Sequence, residues 1–110
     1  MVTKPTVTIS ARLSAEAPQV EVLTPLVLVL GARVGLSIER IDDLAMAIEL
    51  LVRHQPVTAR DARFSILEGG LEVSLSSIDH EWLERRTPML QVLVSQVIGD
   101  PGGVRLLVVP

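Results

Sequence analysis

Two alternating segments joined by glycines constrain this chain more than any other feature in it. Residues 63–67 and 71–78 each alternate in side-chain character, with Glu68-Gly69-Gly70 between them. In the second run Leu71, Val73 and Leu75 fall on one side, and Glu72, Ser74 and Ser76 on the other. Successive side chains of a strand point to opposite faces, so this period predicts strands with one buried face. A glycine turn between two such runs predicts an antiparallel hairpin. A lone hairpin is marginal in water, so the remainder of the chain must supply a covering layer.

The clearest cover lies at residues 37–54. Ile38, Ile41, Ala45, Ile48 and Val52 repeat at three- and four-residue spacing, the stripe of an amphipathic helix. Ser37 is the expected cap, Arg53 and His54 suit the C-terminal dipole, and Pro56 ends the run. Ahead of it, Val7–Leu13 alternates as a strand, and Ser14 can cap a helix with Pro18 in its first turns. Residues 19–34 are apolar on nearly every side. Val20, Leu23, Val27, Leu30 and Val34 fit a helical stripe, but residues 26–30 fit a buried strand equally well. The exit-like Gly31-Ala-Arg-Val-Gly35 favours helix, with Pro25 as a kink or restart and Thr24 as its cap. Residues 81–98 read as a further amphipathic helix, capped by Asp79 and interrupted or restarted at Thr87-Pro88. Gly99–Gly103 reads as a tight turn, and Val104–Val109 as a final, centrally placed strand. The order β-α-α-β-β-α-β predicts one α+β domain over residues 1–110. Its architecture would be a two-layer sandwich of a mostly antiparallel sheet with helices on one face.

Composition narrows the function classes. The chain has 110 residues, 48% of them hydrophobic, and Phe64 and Trp82 are its only aromatics, so the core is aliphatic. The longest uncharged run near the front, residues 22–32, is broken by Pro25 and falls well short of the roughly 20 residues of a spanning helix. The start, Met-Val-Thr-Lys-Pro, has no leader pattern. The expectation is a soluble, cytoplasmic protein with no membrane partner. Net charge is −3 and the basic residues cluster only at Arg85-Arg86, which argues against nucleic acid. There is no cysteine, which excludes disulfides and thiolate metal sites. The aliphatic surplus points to an interface.

Few residues invite chemistry. Asp42 and Asp43 are adjacent on a helix, point about 100° apart, and are better explained by the N-terminal dipole than by a shared ion. No spacing of metal-ligating residues is present. His54, at a helix end, is a structural residue first and a candidate base or phosphate acceptor second. The segment His80–Arg86 is the densest polar stretch and carries the single tryptophan. Trp82, Arg85 and Arg86 are the residue types that dominate interface hot spots, and they are the candidate interface. The alternative is that Trp82 closes the core edge among solvated charges. Residues 99–103 are glycine-rich but lack the lysine and hydroxyl of a phosphate loop.

The stretch Gly35-Leu-Ser-Ile-Glu-Arg-Ile-Asp-Asp-Leu-Ala-Met-Ala-Ile48 resembles a helix of the anti-sigma regulatory factors and related serine kinases of the histidine-kinase-like ATPase fold. The layout of strands and helices is similar too. In that family the helix leads into a catalytic Glu and, four residues on, an Asn that helps hold magnesium-ATP. Carried over, the Glu position falls on Leu50 and the Asn position on His54; shifting by one to use Glu49 puts the Asn position on Arg53. The family's Asp-x-Gly-x-Gly, whose Asp reads adenine, meets Asp79 followed by His80-Glu-Trp-Leu-Glu84. The mobile lid is missing. The resemblance therefore implies a degenerate, non-catalytic module that binds no ATP or magnesium. It would act on a protein: a sigma factor, an anti-sigma antagonist, or a second copy of itself as a homodimer, with the first strand and first helix as contact surfaces. Two rival readings remain. One is a surviving ATP-dependent serine kinase, for which Glu49 is the candidate catalytic residue and His54 and Asp79 the candidate cofactor-binding residues. The other is a sensor of small apolar ligands.

Overall fold

The computed structural model describes residues 7–55 and 58–110. The elements are β1 (Val7–Leu13), α1 (Gln19–Arg33), α2 (Ile38–Arg53), β2 (Arg60–Leu67), β3 (Gly70–Ser76), α3 (His80–Leu93), β4 (Gln96–Asp100) and β5 (Gly103–Val108). The strands form one sheet in the order β1-β2-β3-β5-β4, and every neighbouring pair is antiparallel. The expected α+β sandwich is the fold, with one more strand than the sequence pattern predicts.

Register gives the sheet two unlike faces. Ile9 stands opposite Phe64, Phe64 opposite Val73, and Val73 opposite Leu106. On the same face Ala62, Ile66, Leu71, Leu75, Val104 and Val108 are buried. In the alternate positions, Ser10, Arg63, Ser74 and Arg105 form a continuous row across four strands of the other face. The helices cover the apolar face. α2 contributes Ile41, Leu44, Ala47, Ile48 and Leu51, α1 contributes Leu23, Val27 and Leu30, and α3 contributes Leu83 and Leu90, all in one core cluster. α2 is the central helix, packed against α1 on one side and α3 on the other.

Helix ends follow the sequence at the start of α2 and the exit of α1 and depart from it at the start of α1. Ser37 caps α2, its Oγ accepting the N–H of Arg40 at 3.2 Å. The exit from α1 is a Schellman turn: Leu36 N–H donates to Gly31 O and Gly35 N–H to Ala32 O, with Gly35 at φ +82°. Ser14 does not cap α1. Its carbonyl accepts Ala17 N–H in a turn, and the capping position is Pro18, which makes no side-chain capping bond. Pro56 lies outside the described residues.

Three expectations need correction. Residues 26–30 are helical, as favoured, but Pro25 neither kinks nor restarts the helix: it sits inside an uninterrupted α1, as Pro88 sits inside α3. Each proline is exposed, as is the residue four before it, Glu21 or Glu84, so the carbonyl deprived of its donor lies on the solvent side. The preceding threonines do not cap new helices: Thr24 Oγ1 donates to Val20 O and Thr87 Oγ1 to Leu83 O, both at 2.8 Å. Finally, the last helix ends at Leu93, not residue 98, and residues 96–100 form β4, which pairs with β5. The expected turn at 99–103 contracts to Pro101-Gly102 between paired Asp100 and Gly103.

Candidate functional site

The candidate interface residues sit on α3, whose start is fixed by Asp79. The Asp79 Oδ2 accepts the N–H of Trp82 at 2.9 Å, an N-cap that begins the helix where the sequence predicts it. Trp82 is half-buried against the core. Its ring stacks on His54, with centroids 6.4 Å apart and planes at 20°, and the Arg86 guanidinium lies 6.0 Å from the Trp82 centroid. The structure thus brings together residues from the end of α2 and the first turns of α3. Arg85 and Arg86 are exposed and form no ion pair among the described residues. Helical spacing carries this side of α3 onward to Met89 and to Val92, which is 81% exposed. His80, one turn before Glu84, is paired with it at 3.1 Å.

The candidate chemical residues are engaged in structural work. Glu49 is exposed and receives Arg53 Nε at 2.8 Å; this bond holds the Arg53 proton more firmly than usual. Arg53 also reaches Glu21 on α1 at 3.6 Å. Glu49, His54 and Asp79 are therefore distributed among an ion pair, a ring stack and a helix cap. No group of three His, Asp or Glu side chains among the described residues is placed to hold a metal ion. Among them, too, no helix is long and apolar enough to cross a membrane.

A second cluster escapes the sequence reading. Arg60, first residue of β2, is only 2% exposed. Its Nε donates to Gln19 Oε1 at 3.0 Å, and its Nη1 donates to Ser76 O at 2.8 Å and Ser77 O at 3.1 Å. Ser77 has φ +61°, the one positive value at a described non-glycine residue. Gln19 Nε2 ties the cluster to Ser14 O and Thr58 O. Beside it Gln55 Oε1 accepts Asp79 N–H at 2.9 Å, while Gln55 Nε2 is buried with no partner. Burial lowers the proton affinity of the Arg60 guanidinium. The signal was present in the sequence: Arg60 shares the period-two phase of Ala62, Phe64 and Ile66, which points it inward once the strand is begun at 60 instead of 63.

Two clefts open on the surface. One, of about 390 Å³, lies on the polar sheet face beside the β4–β5 turn, lined by Ser10, Asp61, Arg63, Ser74 and Asp100 among others. The other, of about 380 Å³, lies between the start of α1, the end of α2 and the start of β2, where Arg60, Gln19 and Gln55 line it. No protein-family model and no curated protein matches the chain.

Proposed function

We propose that this chain is a non-catalytic regulatory module of the anti-sigma type, built on a histidine-kinase-like ATPase scaffold that has lost nucleotide. It acts in the cytoplasm by binding a protein: a sigma factor, an anti-sigma antagonist, or a second copy of itself. The observation that carries this reading is the fate of the nucleotide positions. Leu50, at the place of the catalytic acid, is a hydrocarbon packed against the core. His54, at the place of the magnesium-holding amide, is stacked on Trp82. Magnesium requires oxygen ligands in near-octahedral geometry, and this donor set does not suit it. Asp79, at the adenine-reading place, already accepts the Trp82 N–H.

One of these positions contributes to a recognition surface. His54 joins Trp82 and Arg86 of α3 in a stacked, partly exposed assembly of the kind that centres protein interfaces. The exposed Val22, Leu28 and Val29 of α1 and Met89 and Val92 of α3 extend the surface available to a partner.

Calorimetric titration with magnesium-ATP tests the first half of the proposal. No heat of binding is expected up to millimolar nucleotide, and micromolar affinity would sink it. The second half is tested with a sigma factor or antagonist encoded beside this chain in its genome, and by sedimentation for self-association. Trp82→Ala with Arg86→Ala is expected to weaken the complex at least about tenfold. An unchanged affinity in the folded double variant would remove this face from the interface.

A further inference from the structure

We propose that the cleft between the N-terminus of α1 and the start of β2 is a binding site for a small ligand bearing a carboxylate or phosphate group. Three independent features converge there.

The first is a buried cation facing only neutral acceptors. The Arg60 guanidinium is held by Gln19 Oε1 and the carbonyls of Ser76 and Ser77, and it belongs to no ion pair among the described residues. A charge withdrawn from water is costly unless an opposite charge accompanies it. Carbonyl dipoles offset part of that cost, and an oxyanion in the adjoining cleft would offset the rest.

The second is an unsatisfied donor. Gln55 is 7% exposed and lines the cleft. Asp79 N–H must face an acceptor, so Oε1 is committed to it at 2.9 Å and the amide cannot turn over. Nε2 is left buried and unpartnered. A buried donor without an acceptor is unfavourable, and an anion that reached it would satisfy it.

The third is the end of α1, a helix of 15 residues with no side-chain cap at its N-terminus. Pro18, Gln19, Val20 and Glu21 line the cleft, so the first-turn N–H groups and the positive end of the dipole border it. Arg53 is already matched by Glu49 at 2.8 Å and Glu21 at 3.6 Å, which leaves Arg60 as the lining cation without an acid among the described residues. The charge balance suits a monoanion. The cleft's volume, about 380 Å³, falls in the ordinary range for small-molecule sites. The cleft on the sheet face is comparable in size but holds no unpartnered buried donor among the described residues.

The site adjoins the His54–Trp82–Arg86 face through Gln55, which holds the Asp79 N–H, but none of His54, Trp82 and Arg86 lines the cleft, so its test needs no partner. The full chain, labelled with nitrogen-15, is titrated with inorganic phosphate and in a parallel arm with acetate, each against chloride at equal ionic strength. The expected result is saturable movement of the backbone amides of Gln19, Val20 and Glu21 and of the Gln55 side-chain amide. The arm that saturates at the lower concentration assigns the anion class. Gln55→Leu is expected to weaken binding about tenfold, and Arg60→Lys at least as much. If Arg60→Lys does not fold, the wild-type titration and Gln55→Leu decide the matter. Absence of saturation in both arms, movement centred on Arg85 and Arg86, or undiminished affinity in Gln55→Leu would each overturn the proposal.

Discussion

α1 and α2 lie side by side, with 15 and 16 residues, and reach the same conformation by different means. α2 states its structure locally: a side-chain cap at Ser37, an apolar stripe inward and charges outward. α1 has no side-chain cap and a proline in its interior, and its outer side sets apolar residues among Glu21, Thr24 and Arg33. Val22, Leu28 and Val29 are exposed, Val29 by 63%. Such a helix is held by what it packs against, because burial of an apolar face contributes more to helix stability in proteins than intrinsic propensity. The pair teaches that an amphipathic helix can be satisfied within its own chain. One that carries large apolar side chains outward as well is left with surface to offer a partner.

Core truncations test how firmly each helix is docked. Leu23 on α1 and Leu44 on α2 are both fully buried. Replacing either by alanine should cost about 2–5 kcal/mol in urea denaturation. A much smaller loss at Leu23 would mean that α1 packs loosely, and the two helices would then differ in more than their local signals.

The crossing of the helices is the next lever. A Cβ added at Gly31 of α1 would stand 2.8 Å from Ile41 Cγ1 of α2, closer than carbon atoms approach. Gly31→Ala gains helix propensity but overpacks this contact, for a net loss of about 1 kcal/mol. Combined with Ile41→Ala, the loss should be smaller than the sum of the two single losses. Simple additivity in a double-mutant cycle would show that the helices do not meet at Gly31.

Removing the cap in Ser37→Ala should cost about 1 kcal/mol, read as a fall in melting temperature. A loss near zero would erase the claim that α2 is locally specified. The smallest expected change in stability belongs to α1's outer side: Val29→Glu should alter it by less than about 0.5 kcal/mol. A larger loss would show that this side is already packed within the chain.

The contrast also explains how much was legible in the residues. The β2–β3 hairpin, α2, the Schellman exit at Gly35 and the Asp79 cap were all readable, because each is encoded by neighbours in sequence. β4 was not. Residues 92–98 are two short aliphatic runs separated by Ser95 and Gln96, too short for period to tell helix from strand, and only pairing with β5 decides. The prolines misled for a related reason. Whether Pro25 or Pro88 breaks a helix depends on which way the freed carbonyl faces, and that is set by tertiary packing. At the candidate face, Trp82 and Arg86 were legible by residue type, whereas the stack with His54 joins elements far apart in sequence. Arg60 was hidden because strand β2 was begun three residues late, and Gln19 and Gln55 carry no chemical signature that singles them out.

The placement of β5 bears on how the chain is made. β5 is the last element, yet it lies between β3 and β4 and pairs with both. During synthesis every helix and the first four strands leave the ribosome before the strand that joins β4 to the rest. Until then β3 and β4 each present an unpaired edge, the surface on which nascent chains associate wrongly. A chain that has emerged only as far as residue 102 would hold a three-stranded sheet and a detached fourth strand, and the fold is closed only when β5 follows.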